Sequence, residues 1–336
     1  MLGVRYRIAF LSGAAFLAVS ASTASDAPAK QEKKWMPPKT AWGVPDLRGV
    51  WDFRTITPLE RPRQLGEKTR FTDDEAAEFQ VRELDRRNKD RRASDGISAE
   101  QDVRNAYNQF WWDYGTELTE DRRTSLIVDP PDGRIPAMSP DARARYGEIR
   151  SARARAPHGP EDRGVAERCI LGFNAGPPFT PSAYNNNVHI FQTPGYTVLL
   201  IEMVNDARIV PMDGRAHLPG HIRQWRGDAR GSWEGNTLVV ESRNFTEKTT
   251  FRGTGKNLRL IERFTRVGPD RVVYEYTIDD PESFEKPWTA VIPMKKTDEP
   301  MYEYACHEGN YSMYTMLEGA RLAERNAIPF EGSNLP

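Results

Sequence analysis

The stretch from Tyr184 to His307 constrains the fold most, because short strand-like runs follow one another there with tight turns such as Gly235-Asn236 between them. Tight turns leave no room for the crossover helix that parallel neighbours need, so the strands are expected to be antiparallel. A meander of about nine strands must curl or close to protect its edges, which predicts a barrel-like or strongly curved sheet. The predicted strands are Val188 to Gln192, Tyr196 to Met203, Arg208 to Met212, Ile222 to Arg226, Thr237 to Ser242, Leu258 to Arg266, Val272 to Asp279, Trp288 to Met294 and Met301 to Ala305.

Helix-start signals precede this β region. We expect residues 45–165 to be mostly helical with a first strand near Trp51, and residues 166–336 to form an antiparallel β domain with a C-terminal helix from about 310 to 326. The predicted fold class is mainly β with a helical N-terminal segment (α+β). The signals are two capping boxes, Thr72 with Glu75 and Ser98 with Gln101, and Ser139 before Pro140.

The N-terminus has the layout of a bacterial export signal. A basic start, an apolar run from Ile8 to Val19 and small residues predict a signal peptide over 1–24, cleaved after about Ala21 or Ala24. The apolar run is shorter than the about 20 residues that a spanning helix needs, so no membrane insertion is expected. Residues 25–44, rich in Ala, Pro and Lys, are expected to form a disordered leader. These features predict a periplasmic or secreted protein.

The charge balance bears on which partners the protein can bind. The chain carries 47 basic and 48 acidic residues, and removal of Arg5 and Arg7 with the signal changes the formal charge from −1 to −3. Such balance argues against nucleic acid or an anionic membrane as a partner. A small-molecule substrate or ligand remains, and the oligomeric state stays open.

The two cysteines, Cys169 and Cys306, flank the β region. An oxidising compartment favours a disulfide between them. The alternative is a thiolate nucleophile at Cys306 beside His307, but an exported thiol is readily oxidised.

Six strings of this sequence are distinctive: RRTSLIVDPPDGRIP (122–136), YNNN (184–187), DARIVPMDGR (206–215), SWEGNTLVVE (232–241), IERFTR (261–266) and YEYACHEGNY (302–311). They resemble a family of exported bacterial proteins of uncharacterised function. The resemblance spans nearly the whole mature chain and implies export, but it implies no activity, cofactor or catalytic residue. Separately, Gly49-x-Trp51 resembles the first strand of lipocalin-like barrels, in which the Trp closes one end.

His217 is the candidate for proton transfer. It lies in a Gly/Pro loop between strands, and an imidazole beside a carboxylate can exchange protons near neutral pH. Glu202 or Asp213 is expected to orient the imidazole. Arg208 or Arg215 is expected to hold an anionic substrate or a developing oxyanion through paired N–H donors. The alternative is that these residues brace a turn.

Three further residues are candidates for substrate binding: Tyr184, Asn186 and His189. The Tyr184-Asn185-Asn186-Asn187 run offers amide donors and acceptors for sugar or carbonyl recognition, although Asn is also a favoured turn residue. His189 lies in a predicted strand and can face either side of the sheet.

A metal site is the alternative interpretation of His217 and His221. Their spacing would place both on one face of a helix, but Pro219 and Gly220 lie between them. A zinc site would also need a third ligand, such as Glu202, His189 or His307. We therefore expect no metal and no other cofactor.

The leading hypothesis is an exported enzyme that acts on a small organic substrate by metal-free acid–base chemistry, as a hydrolase or a lyase. The site is expected in a polar-lined cup with His217 at its rim. The alternative is a lipocalin-like protein that binds a small molecule without altering it. A third hypothesis is a structural protein of the cell envelope.

Overall fold

The computed structural model describes residues 35–90, 109–249 and 251–326. The predicted signal peptide and the helix expected to begin at Ser98 lie outside these residues. Of the predicted leader, residues 35–44 form a turn in which the Thr40 N–H donates to the Val44 carbonyl oxygen over 2.8 Å.

One large antiparallel sheet dominates the fold, and every ladder of the described residues is antiparallel, as the tight turns predict. The strand order is β5-β4-β3-β1-β10-β9-β8-β7-β6, and β2 pairs with β10 outside this path. The strands are β1 Gly49–Asp52, β2 Ile127–Asp129, β3 Asn187–Gln192, β4 Tyr196–Ile201, β5 Asp206–Pro211, β6 Asp228–Glu234, β7 Thr237–Arg243, β8 Arg259–Gly268, β9 Arg271–Asp279 and β10 Trp288–Thr297.

The sheet is strongly curved but is not closed. Among the described residues no backbone ladder joins β5 to β6, so closure into a barrel is not supported. In a flat sheet, β5 and β8 would lie six strand spacings apart, about 29 Å. Instead, the Arg208 side chain in β5 hydrogen-bonds to Glu262 in β8 over 3.0 Å. The sheet therefore curls until side chains from its two ends meet.

Two predicted strands are wrong. Residues 222–226 contain only an isolated bridge from Gln224 to Phe245 and a turn, and the strand that pairs with β7 is β6, directly before the Gly235-Asn236 turn. Inward positions of β6 are taken by Ala229, Gly231 and Trp233, so its apolar pattern is weak. Residues 301–305 contain no regular element.

The described residues also form three α-helices: α1 Asp73–Arg87, α2 Pro140–Ala154 and α3 Ser312–Arg325. Thr72 and Glu75 form the predicted capping box of α1, and Ser139 caps α2 through the Ala142 N–H. Most other described residues of the 45–165 segment are irregular, so the prediction that this segment is mostly helical is not confirmed. None of the helices described is long and apolar enough to cross a membrane.

Large side chains occupy the concave side of the sheet. Phe179, from the loop before β3, stacks on Tyr274 with ring centroids 4.0 Å apart. Trp51 is fully buried, donates from Nε1 to the Leu47 carbonyl oxygen over 2.8 Å, and has the Arg266 guanidinium 5.6 Å from its ring centroid. The other large, fully buried side chains include Phe53, Phe245, Phe264, Tyr276 and Trp288.

A disulfide joins Cys169 to Cys306, whose Cα atoms lie 5.7 Å apart, and this confirms the predicted pairing. Neither cysteine is free, so the thiolate alternative at Cys306 does not apply to this structure. The bridge ties the loop before β3 to the chain segment before α3.

Candidate functional site

A cleft of about 660 Å³ lies where the sheet is open, between the edge strands β5 and β6. We call it the seam cleft. One wall comes from β5, and the other comes from the start of β6 and the turn segment before it. Its lining residues are Ile170, Leu171, Ala207, Arg208, Ile209, Pro211, Arg223, Gln224, Trp225, Arg226, Gly227, Asp228, Ala229 and Arg230.

Asp228 connects the seam cleft to His217. Its Oδ2 lies 3.0 Å from His217 Nδ1 and accepts the Leu218 N–H over 2.8 Å. The Asp228 side chain is 6% exposed and that of His217 is 23% exposed. A carboxylate that accepts Nδ1–H fixes the orientation of the ring and favours the neutral tautomer that has its lone pair on Nε2. The arrangement therefore presents His217 as a base.

A second carboxylate lies on the other side of the His217 ring. Nε2 is 3.6 Å from Oε1 of Glu241, beyond hydrogen-bond distance but close enough to stabilise an imidazolium. Arg259 donates to Glu241 over 2.8 Å, and Arg243 also pairs with it. Despite the burial of Glu241, these arginines hold its pKa below the usual range. Glu241 is therefore negatively charged beside His217.

Arg230 holds the loop that carries His217. Its guanidinium donates to Oδ1 of Asp228 over 2.6 Å and to the Ala216 carbonyl oxygen over 2.8 Å. One side chain thus fixes both the carboxylate and the residue that precedes the imidazole.

This group lies on the outer face of the sheet, not at the rim of an inner cup as expected. Arg230 is paired with Glu241, whereas the neighbouring pair is Gly231 with the fully buried Val240. Because successive side chains point to opposite faces, Asp228, Arg230 and Glu241 face away from the core. The sequence alone does not say which of the two alternating sets is buried.

The inner face carries a different polar group around Arg208. Its guanidinium donates to Glu262 over 3.0 and 2.5 Å and to Ser242 over 3.4 Å. The Tyr274 hydroxyl donates to Glu262 over 2.8 Å, and burial raises its pKa well above the usual value. Although burial opposes the charge, Glu262 raises the pKa of Arg208. Arg208 lines the seam cleft, but Glu262 already occupies its paired donors.

An ion pair that the sequence reasoning missed adjoins the seam cleft. Asp206 pairs with Arg226, and the two side chains are 1% and 31% exposed. Burial raises the pKa of the Asp206 carboxyl above its usual value and lowers that of the Arg226 guanidinium. Arg226 Nε has no hydrogen-bond partner. A buried carboxyl with a raised pKa beside a cleft is typical of functional sites.

The expected orienting carboxylates have other partners. Glu202 is buried and accepts from the Asn187 side chain over 2.8 Å. Asp213 lies at the surface and binds Arg215, which also donates to the Tyr196 hydroxyl over 3.3 Å. Asp228, and neither Glu202 nor Asp213, is the carboxylate that contacts Nδ1 of His217.

The expected substrate-binding residues are not brought together with His217. Asn186 is buried, and its amide is fully used, accepting from Asn174 and Ser182 and donating to the backbone oxygens of Asp113 and Ser182. Tyr184 stacks near Tyr304, with ring centroids 6.2 Å apart. His189 stacks on Phe191 on the outer face, and burial lowers its pKa.

The described residues include no group of three or more His, Cys, Asp or Glu side chains placed to hold a metal ion. His221 is exposed, and the turn at Pro219 replaces the helix that would align it with His217.

Asp228 has a detectable sequence signal. The Gly235-Asn236 turn fixes the register of the hairpin, with Glu234 opposite Thr237 and Arg230 opposite Glu241. Counting back from that turn places Asp228 on the same face as Glu241. The contact with His217, in contrast, depends on the path of the loop.

The whole chain matches none of the protein-family models and none of the curated proteins with which it was compared. The function therefore has to be inferred from the geometry of the site.

Proposed function

We propose that the protein is an exported enzyme that binds a small organic substrate in the seam cleft and converts the part of it that extends past Asp228 to His217, by acid–base hydrolysis or elimination. The observation that carries this proposal is the 3.0 Å contact between His217 and Asp228, because Asp228 also lines the cleft. The disulfide between Cys169 and Cys306 supports export to an oxidising compartment.

His217 would act first as a base and then as an acid. In hydrolysis, Nε2 takes a proton from water, the water oxygen bonds to the electrophilic carbon, and the leaving group departs with the bonding electrons and receives the proton. In elimination, Nε2 takes a proton from carbon, the C–H electron pair forms the double bond, and the leaving group departs with its electrons and that proton. Asp228 and Glu241 stabilise the imidazolium in either case.

The charged residues of the cleft would serve the same step. Arg226 lines the cleft and is 31% exposed, so its guanidinium charge can stabilise negative charge that develops on the substrate. Asp206 would hold the guanidinium in place.

Mass spectrometry tests the proposal even while the substrate is unidentified. Purified protein is incubated with pools of small organic compounds, and each pool is compared with one that contains the Asp228→Asn variant. We expect a mass change that the variant produces at least 100 times more slowly, because general acid–base catalysis contributes about 10²–10⁴-fold. Thermal melting checks that the variant is folded. Conversion by Asp228→Asn at the wild-type rate would overturn the proposal.

Binding without conversion is the second candidate. It is favoured by Trp51, which forms a Gly-x-Trp motif with Gly49 as in lipocalin-like barrels, is fully buried and has the Arg266 guanidinium 5.6 Å from its ring centroid. In that case side-chain contacts, rather than backbone hydrogen bonds, would hold the edge strands β5 and β6 together. The same incubation separates the candidates, because a bound compound would be retained by the protein with its mass unchanged.

A further inference from the structure

The seam cleft combines several guanidinium groups with fewer carboxylates. Four arginines line it, namely Arg208, Arg223, Arg226 and Arg230. Three of them have carboxylate partners, in Glu262, Asp206 and Asp228. Four positive and three negative charges leave one positive charge in excess.

The excess charge belongs to Arg223. Its guanidinium donates to the Phe245 carbonyl oxygen over 3.0 Å and to the Lys256 carbonyl oxygen over 2.6 Å. Among the described residues, no carboxylate lies within ion-pair distance of Arg223. Glu247 is affected by its charge but pairs with Lys256 over 2.8 Å. Two backbone carbonyls thus fix the position of the guanidinium of a residue that lines the cleft.

The rest of the lining is largely apolar. Leu171, Ile209 and Trp225 contribute to the walls, and Ile209 is 63% exposed although it is a large apolar residue. Covering such surface removes it from water, at about 25 cal/mol per Å². A volume of about 660 Å³ lies within the usual range for small-molecule sites.

We infer that the seam cleft binds a monoanionic organic molecule, a carboxylate with an aromatic or aliphatic body, whose charge is held by Arg223 and Arg226. The single excess positive charge matches one carboxylate, and Arg226, which is 31% exposed, adds a second guanidinium to the lining. The apolar walls receive the body of the molecule. This inference rests on the proposed function, since it names the class of substrate for the same cleft.

Isothermal titration with a matched pair of probes tests the inference. The probes are 4-phenylbutyrate and its neutral amide, which have the same body and differ in charge. We expect the carboxylate to bind at least tenfold more tightly than the amide, and its affinity to fall as sodium chloride is raised. Equal affinities, or binding of neither probe at millimolar concentration, would overturn the inference.

Variants locate the charge recognition. Arg223→Met is expected to weaken binding of the carboxylate at least tenfold and to leave that of the amide within twofold. The control is Arg263→Met, which removes the same charge from the outer face of β8, where Arg263 pairs with Glu234 outside the cleft. Equal losses from the two substitutions would contradict a site at Arg223. A second test is the double variant Asp206→Asn with Arg226→Met, which removes both members of an ion pair and so leaves no buried charge without a partner. We expect this variant also to bind the carboxylate more weakly than the wild type does.

The His217→Gln variant separates this inference from the proposed function. It should bind 4-phenylbutyrate within about threefold of the wild-type affinity, because His217 contacts Asp228 at the edge of the cleft and does not hold the carboxylate. If the carboxylate fails to bind while a neutral compound is converted in a His217-dependent way, the substrate class is wrong and the acid–base proposal stands. If the carboxylate binds in a way that depends on Arg223, but His217→Gln converts substrate as fast as the wild type, the substrate class stands and the acid–base proposal is wrong.

Discussion

The guanidinium group of Arg208 in β5 binds both carboxylate oxygens of Glu262 in β8, and both side chains are almost fully buried. The pair connects β5 and β8, which lie six positions apart in the strand order, so the sheet must be strongly curved for the two side chains to meet. Removal of one member of a buried ion pair strongly destabilises a protein, because the remaining charge is buried without a partner.

Glu262→Gln should therefore lower the free energy of unfolding by about 3–5 kcal/mol, because Arg208 keeps its charge without a counter-charge. The double variant Arg208→Met with Glu262→Leu should recover most of this loss, apart from about 1 kcal/mol for the Tyr274 hydroxyl that loses its acceptor. Urea unfolding followed by circular dichroism measures both. The control, Arg263→Met at a more exposed pair, should cost less than about 1 kcal/mol. A double variant less stable than the single one would contradict this account.

Gly231 in β6 lies where the two edge strands of the sheet, β5 and β6, approach each other closely. A Cβ atom there would meet the Met212 sulfur and would lie 2.9 Å from Val210 Cγ1. Gly231→Ala should cost about 1–3 kcal/mol of stability, as overpacking does. In a Met212→Ala background the cost should fall by about 1 kcal/mol or more. Gly195→Ala, where a Cβ meets nothing within 4 Å, is the control. Equal costs with and without Met212 would show that the ends do not meet.

Asp206 should give the protein a pH-dependent stability of unusual sign. Burial raises the pKa of its carboxyl in the folded state above the usual 3.8. Its favourable contribution is therefore full below pH 3.8 and is lost as the pH rises through the folded-state pKa. The stability of the wild type minus that of Asp206→Asn should thus decrease as the pH rises from acid toward neutral.

Asp213 supplies a control of opposite sign. Hydrogen bonds from Arg215 lower the pKa of Asp213 to about 2. Its contribution is present above pH 3.8 and is lost as the pH falls toward the folded-state pKa. The difference between the wild type and Asp213→Asn should therefore increase with pH. Urea unfolding at a series of pH values measures both slopes, and slopes of the same sign would refute the assignment for Asp206.

The disulfide should contribute much of the stability. Cys169 and Cys306 are 137 residues apart, and a loop of that size corresponds to about 5 kcal/mol in the chain-entropy model. Replacement of both cysteines by serine should move the urea midpoint down accordingly, and a reductant should have no further effect on that variant. An unchanged midpoint would mean that the bridge does not constrain the unfolded chain.

The β architecture can be predicted because its signals are local. Two-residue turns such as Gly235-Asn236 fix which strands pair and in what register. The 222–226 segment has the pattern of a strand because it contains Ile222 and Trp225, whereas the true strand, β6, has a small residue, Gly231, at an inward position. Small inward residues are expected where the opposite end of the sheet approaches closely, and that approach is not visible in a local pattern.

The site is harder to predict than the fold because its contacts are not local. His217 stands out from its loop, but its partner Asp228 lies 11 positions away, beyond a turn that has the pattern of a strand. Glu202 is near the His217 loop in sequence, and the hairpin instead points it toward Asn187. Asn186 has the chemistry of a binding residue, but the buried loop uses every donor and acceptor of its amide.

The role of His217 is the central claim, and a pair of histidine variants tests it most directly. The measurement is the rate of substrate conversion by wild type, His217→Gln and His221→Gln at saturating substrate. His221 is the matched control because it lies on the same loop and is exposed. We predict that His217→Gln lowers kcat by at least about 100-fold with Kd for the substrate little changed, and that His221→Gln stays within about twofold of wild type. A His217→Gln enzyme with the wild-type kcat would contradict the account.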